Sequence, residues 1–516
     1  MGAAADTPPS EAPTTEHAAV DDTTAADGPD AAAGASAAGG SPRDAPVFTL
    51  EYPRLWIRGS VLSGPNPLLL AQLFGAVLAL FTFAFLYIGV SWNPGARLHT
   101  LSVAVLSCDA GVPATLAAAL PASFMSASPM GTALLAASVL DATTAAGRAL
   151  GWRPFACGAA AGVACGASAA PACRAELVRA VERGDVWSAL YVPPSFTADV
   201  LSGAPALAAA MGRNASTPTL EHIYGLGRSP STYTFIKAAV SATASGLATA
   251  LGRSVLGNAA LSGVMGKAWF IAPLVLTDTN LHPVVHYGQN FASYVFCVLL
   301  WMGSAFTVAL LSQFRTRTEI ETLRGAPATL RNALRTLTAK ACVAIAFAFV
   351  QAIALVSVLL CLGRYQADGP DGSDGLNWAH SPGLMIAYAA YMSFSFAAIN
   401  ALALHTIGVE RFTTATTLFL IVQLTSSAGF FSETLSNRFF LVGRGLPFYY
   451  GVRAFRTIQF GGQENLMPIN WMVPTVWNAG CMLALGVFTV ARLQRRVLVD
   501  KAPLGALTPL TGVVLA

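Results

Sequence analysis

LLLAQLFGAVLALFTFAFLYIGV, residues 68–90, carries no charged side chain. A hydrocarbon core of roughly 30 Å is crossed by about 20 apolar helical residues, so this run is long enough to span it. About 200 residues of mixed character follow before the next comparable run. Five more runs then come in close order, at 291–311, 341–362, 382–405, 413–431 and 473–490. Gln351 is the one long polar group in 341–362, and Gln423 and Asn478 make the last two runs the weakest. The layout predicts a mainly α, polytopic membrane protein with six transmembrane helices, one plus five. An extracytoplasmic α/β insert separates the first from the second.

Charged residues are 11% of the chain, against roughly 25% in a soluble domain. The net charge of +4 is small, and no stretch joins a basic patch to stacking aromatics, so no nucleic-acid partner is expected. Lys and Arg in short loops mark the cytoplasmic side. Arg315, Arg317, Arg324, Arg331, Arg335 and Lys340 lie between the second and third runs. Arg492, Arg495, Arg496 and Lys501 follow the last run, and Arg54 and Arg58 precede the first. Six crossings put all of these on one side, with both termini cytoplasmic, at a plasma membrane or an endomembrane. The domain plan is then a disordered acidic, Ala-rich tail at 1–50, a first transmembrane helix in 51–90 acting as an uncleaved anchor, and an extracytoplasmic domain at 91–290. A five-helix membrane domain fills 291–492, and 493–516 is a second cytoplasmic tail. Met1-Gly2 opens the chain as myristoylation requires, but Asp6 stands where Ser or Thr is needed, so no lipid is expected there.

Four of the eight cysteines, Cys108, Cys157, Cys165 and Cys173, fall in the insert. In an oxidising compartment they predict disulfides, with three connectivities open. No Cys-x-x-Cys pair or neighbouring histidine supports a zinc site. Asn214-Ala215-Ser216 is a glycosylation acceptor. Residues 101–107 (LSVAVLS) and 187–192 are short apolar stretches closed by turn residues, which reads as two strands of a small α/β unit. Asp109, just after the first, reads as a turn or cap residue rather than a catalytic acid. Residues 235–264, rich in Ala, Ser, Thr and Gly, read as a surface or interface helix.

Signatures of chemistry are missing. Gly263-Val264-Met265-Gly266-Lys267 has Leu261 where a phosphate-binding loop needs its first glycine, and Ala268 where it needs Ser or Thr. The seven histidines have no ligand spacing, and no nucleophile elbow is present. No enzyme activity and no cofactor are therefore expected, and no catalytic or metal-ligating set is assigned. Charges inside the runs are nearly absent, which leaves His405 and Gln423 as the nearest polar candidates for a pathway.

Several stretches carry a family resemblance over roughly residues 60–495. Trp92-Asn93-Pro94 is followed by the strand ending at Asp109. Leu190-Tyr-Val-Pro193-Pro-Ser-Phe196-Thr resembles an "IP-x-x-FS" segment, and Pro283-Val-Val-His-Tyr287-Gly288-Gln-Asn-Phe291-Ala resembles "PV-x-x-YG-x-x-FA". Ser427-Ala-Gly429, Phe439-Phe440, Leu446-Pro447 and Tyr450 resemble the stretch between the last two spans. In these the chain resembles the YhgE/Pip (phage infection protein) family and, more closely, the fungal nitrosoguanidine-resistance membrane proteins. Both are related to the ABC type-2 transporter membrane domain. The resemblance implies an exporter-like protein that moves amphipathic or lipid-like compounds, with a role in chemical resistance or membrane homeostasis. It also implies a homodimer or a separate ATP-binding subunit as partner, beside the lipid bilayer. The rival reading is a non-transporting receptor or scaffold whose extracytoplasmic domain binds a ligand. The segment 430–466 is too polar to cross and too apolar for a plain loop, so a re-entrant or interfacial helix pair is expected. Its Arg453 and Arg456 are the candidate contacts to substrate or lipid phosphate.

Overall fold

The computed structural model describes residues 77, 81–82, 84–86, 88–90, 93–112, 129–157, 165–267, 269–284, 287–323, 329–367, 378–429 and 431–501. Residues 1–50, residues 502–516 and most of the first run lie outside them, while residues 493–501, expected in the second tail, are helical. The residues of that run that are described are all helical, and Val77, Phe81, Phe85 and Ile88 are exposed.

Five strands form one sheet: β1 (Ser102–Ser107), β2 (Gly151–Pro154), β3 (Ser188–Val192), β4 (Thr219–Tyr224) and β5 (Val275–Asn280), in the order β2-β1-β3-β4-β5. β1 runs parallel to β2 and to β3, β3 is antiparallel to β4, and β4 is parallel to β5. β1 and β3 are buried on both faces, which explains their unbroken apolar sequences. Alternate residues point to opposite layers. Val103 and Val105 join a core with α1 (Met130–Ser138), α3 (Phe196–Ser202) and α4 (Pro230–Gly257). Ala104 and Leu106 join a second core with α2 (Ala170–Arg183).

α4 is long and apolar enough to cross a membrane, but Tyr233, Ile236, Val240, Leu247, Leu251 and Val255 form one stripe against the sheet. It therefore serves as the sheet's covering helix. Under the opposite layer the cysteines pair Cys108 with Cys165 and Cys157 with Cys173, at Cα separations of 4.6 and 5.4 Å. Each closure removes freedom from the unfolded chain, worth about 2–4 kcal/mol.

The end of β1 is held by Asp109, which is buried. Its Oδ1 accepts from the backbone N–H of Gly111 (3.1 Å) and of Thr197 (3.0 Å). Its Oδ2 accepts from the Gly131 N–H (2.8 Å) and the Thr197 hydroxyl (2.6 Å). The carboxylate thus caps α1 and α3 together. Gly131 is required for this approach, since a Cβ there would lie 2.6 Å from Val192 Cγ1 and 3.1 Å from Asp109 Oδ2.

The remaining long helices form a bundle: α5 (Tyr287–Gln313), α7 (Leu330–Ala367), α8 (Pro382–Ile407), α9 (Val409–Thr425) and α11 (Met467–Lys501). A short α6 (Arg317–Leu323) joins α5 to α7. Among the described residues five helices are long and apolar enough to cross a membrane: α4, α5, α7, α8 and α11. α8 is the central one, packed against α5, α7, α9 and α11. α7 faces the bundle through a narrow seam, Ala344, Ala348, Ala352, Val356 and Leu359, which lets backbones approach closely. α5 turns Val295, Leu299, Met302, Phe306 and Leu310 outward as an exposed stripe. Apolar surface of that extent is stable only against lipid or another protein.

The fifth run ends earlier than its composition indicates, at Thr425 rather than 431. Thr425 and Ser426 turn their hydroxyls back onto Ile421 O and Val422 O (2.9 and 2.5 Å), and Ala428 takes a positive φ of 56°. The chain then leaves the bundle, and Ser432 N–H bonds the Thr232 hydroxyl of α4 at 2.8 Å. A 3-10 segment (Arg438–Gly445) and α10 (Pro447–Phe460) follow. The 3-10 segment exposes Phe439, Leu441 and Val442 with Arg438 and Arg444. In α10, every residue but Arg453 is buried.

Two outcomes follow from the sheet region. Asp109→Ala leaves four donors without their acceptor, and orphaned buried donors cost about 1–3 kcal/mol each. A thermal melt of the purified variant should show a loss of several degrees, and an unchanged midpoint would remove the clamp's importance. The second concerns His222 on β4, which is fully buried between Tyr224, Tyr233 and Asp278, with Lys237 paired to Asp278 at 2.8 Å. Burial pushes its imidazole down to about 4, below the ordinary 6.5, although Asp278 pulls the other way. Between those values the unfolded chain binds the extra proton and the folded one does not. Stability is therefore complete above pH of about 6.5 and falls as pH drops towards 4, by on the order of 3 kcal/mol. His222→Gln should flatten the midpoint-against-pH curve in that window.

Candidate functional site

Polar side chains are folded into the middle of the bundle. Gln351 of α7 donates to the Thr307 hydroxyl of α5 (3.0 Å) and accepts from the Ser393 hydroxyl of α8 (2.8 Å). Asn400 of α8 donates to Ser304 of α5 at 2.9 Å, while its Oδ1 has no partner. In a medium without water such groups pair with each other, so three helices are tied along one line.

Below this line, where α5, α7, α8 and α11 approach the α5–α6–α7 connection, the helices part around a cavity of about 750 Å³. Its walls are apolar. Ala341 and Ala344 of α7, and Ala397 and Ala401 of α8, leave the space that larger side chains would fill. Leu485 and Phe488 of α11 close the far wall. Its mouth is polar, with Arg315, Glu319, Lys340 and His405. Thr316 and Glu319 build this rim by reciprocal capping of α6: Glu319 Oε2 accepts from the Thr316 N–H (2.8 Å), and Thr316 Oγ1 accepts from the Glu319 N–H (3.3 Å). The other oxygen of Glu319 receives Lys340 Nζ at 3.1 Å. Arg315 has no ion pair among the described residues, so the rim is net cationic. An apolar chamber with a cationic rim suits an amphiphile with an acidic head.

The sequence candidates scatter. His405 lines the cavity, with Nδ1 2.8 Å from the Ala401 carbonyl. Gln423 lies near the other end of the bundle, fully buried, and neither atom of its amide has a hydrogen-bond partner. Arg453 donates to Asn470 Oδ1 at 2.7 Å. Arg456 is buried and donates to the carbonyls of Arg228, Ala428 and Gly429 at 3.2, 3.3 and 2.7 Å. The exposed arginines of the segment are instead Arg438 and Arg444. Asn214 is exposed on the loop before β4. Pro193 leads into α3, whose Phe196 is core. Pro283 is exposed just before α5, which Tyr287 and an exposed Gly288 begin. Gly429 packs so closely that a Cβ would sit 2.1 Å from Tyr294. Pro447 opens α10, and Tyr450 donates to the Arg444 carbonyl at 2.7 Å. Among the described residues no group of three His, Cys, Asp or Glu could hold a metal ion.

The cavity itself was not singled out from the sequence, and neither were Lys340 as a rim residue or the Thr307–Gln351–Ser393 line. The Thr316-x-x-Glu319 spacing is a capping signature and was a usable signal for the rim. The alanines of α7 and α8 carry none, because alanine is the commonest helix filler.

A largely helical chain with several apolar helices, a polar line through their middle and an exposed apolar outer stripe has the makeup of an integral membrane protein. Residues 71–483 match the model of a family described as protein of unknown function (DUF3533), and the chain belongs to that family. No curated protein and no solved structure matches it.

Proposed function

We propose that this protein moves amphipathic or lipid-like compounds across or between membrane leaflets, with six spans and both termini cytoplasmic. The observation that carries this reading is the 750 Å³ cavity with alanine-lined walls and a cationic rim. The rim belongs to the Arg-rich connection between α5 and α7, so the chamber opens to the cytoplasm. The acidic head of a bound molecule meets Arg315 and Lys340, and its chain lies along Ala397, Ala401 and Leu485. The resemblance to the YhgE/Pip proteins and the ABC type-2 membrane domain supports a mechanism in which helices alternate between inward and outward states. A homodimer or a separate ATP-binding subunit is the partner such a mechanism uses.

A second reading is a receptor or scaffold. It is favoured by the sheet region, which has cores of its own on both faces. The two part on flux: the full chain in proteoliposomes should translocate a fluorescent anionic phospholipid. Ala401→Trp, which fills the chamber, should lose most of that transfer at equal incorporation. No transfer by the wild-type protein, with or without a copurifying ATPase, leaves the receptor reading.

Orientation is checked separately. A tag near Gly212 should be reached on intact cells or in the lumen, and one near residue 327 only after permeabilisation. Labelling of both on one side removes the six-span topology.

A further inference from the structure

A second, smaller cavity of about 140 Å³ lies at the other end of the molecule, where the Gly225–Ser229 turn after β4 meets α10. Three arginines converge on it: Arg228, Arg453 and Arg456. Arg228 sits with its guanidinium 3.7 Å above the Trp187 ring and donates to the Val186 carbonyl at 3.0 Å. Arg456 is 7% exposed, and its Nε has no hydrogen-bond partner. Arg453 has one bond, to Asn470, and its Nη2 is buried without a partner. His282 adds a buried Nε2, also unpartnered.

Charge does not balance there. None of the three arginines has an ion pair among the described residues. Two carboxylates line the cavity, Glu182 and Glu433. Glu433 is already taken by Arg444 (3.1 Å) and by the Tyr449 hydroxyl (3.0 Å). Burying cations with unmet donors is costly, and planar guanidinium groups are best satisfied by an oxyanion. Burial pushes the Arg228 guanidinium down to about 10, in keeping with a site short of negative charge.

We propose that this cavity binds a phosphate group, free or carried as the headgroup of a lipid. The volume is enough for a tetrahedral oxyanion with waters around it. Its donors come from both halves: Arg228 from the sheet region, Arg453 and Arg456 from α10. The anion bridges them, so binding ties the sheet region to the bundle. The site stands apart from the cavity at the cytoplasmic end and does not depend on how that cavity is read.

The test uses the full-length protein, stripped of lipid in neutral detergent. Inorganic phosphate is titrated with thermal midpoint and native mass spectrometry as readouts. In parallel, the protein is placed in phosphatidylcholine nanodiscs with and without phosphatidic acid. The expected result is a saturable rise in midpoint with one bound group per chain. A response to phosphate alone assigns a free anion, and a response only to phosphatidic acid assigns a headgroup. Arg453→Gln should weaken the response about tenfold or more, the share of one charge-assisted hydrogen bond. Arg228→Gln gives the same reading where Arg453→Gln does not fold. No shift in the wild-type protein with either probe, or an equal shift in a folded variant, overturns the proposal.

Discussion

The carboxylate of Asp109 is the contact on which the sheet region depends. Two oxygens receive four donors from three separate pieces of chain: the turn after β1, the first turn of α1 and the first turn of α3. Cys108, one residue earlier, is tied to Cys165 and donates its N–H to Val192 O at 2.9 Å. The C-terminal end of β1 is therefore fixed by a charge, a covalent bond and a strand ladder within two residues. β3 takes its position from β1, and β4 from β3. The turn after β4 then carries Arg228 to α10, whose Arg456 holds the Arg228 carbonyl. A chain of dependence runs from one buried acid to the junction with the bundle.

The bundle follows the opposite logic. Its sheet-region neighbour buries apolar faces and leaves polar ones outside. The bundle sends Phe306, Val350 and Leu483 outward and folds Gln351, Asn400 and Ser393 inward. Helix contact inside it combines the small-residue seam of α7 with interlocked aromatics, Trp301 against Phe396 and Phe419 and Tyr388 against Trp471. α10 lies between these two regimes. It is amphipathic in composition, yet it is surrounded by protein on nearly all sides.

What the sequence made legible follows from these regimes. Residues 101–107 and 187–192 read as strands because central strands buried on both faces leave unbroken apolar runs. β2 (GWRP) and β5 (VLTDTN) are edge strands, half wet and short of pattern, and did not stand out. The apolar runs located α5, α7, α8 and α11, while their ends shifted, since helices continue past the apolar stretch into capped, charged turns. Arg456 shows the limit most clearly. An arginine among aromatics reads as a headgroup contact; here its Nη1 and Nη2 also meet three carbonyls brought in from residues 228, 428 and 429, and Nε is left without a partner. Only the tertiary fold supplies that. The cavity between α5, α7, α8 and α11 is invisible for the same reason: alanines on α7 and α8 define a space only once the two helices are side by side.

The early end of α9 has a consequence for the surrounding lipid. Seventeen residues rise about 26 Å, whereas the 27 residues of α5 rise about 40 Å. A bilayer core of roughly 30 Å is longer than the first and shorter than the second. On the α9 side the helix stops at a hydroxyl-rich turn, where Ser426 and Ser427 bond the carbonyls of Val422 and Leu424. The helical height around the bundle is thus unequal, about 15 Å lower beside α9 than beside α5.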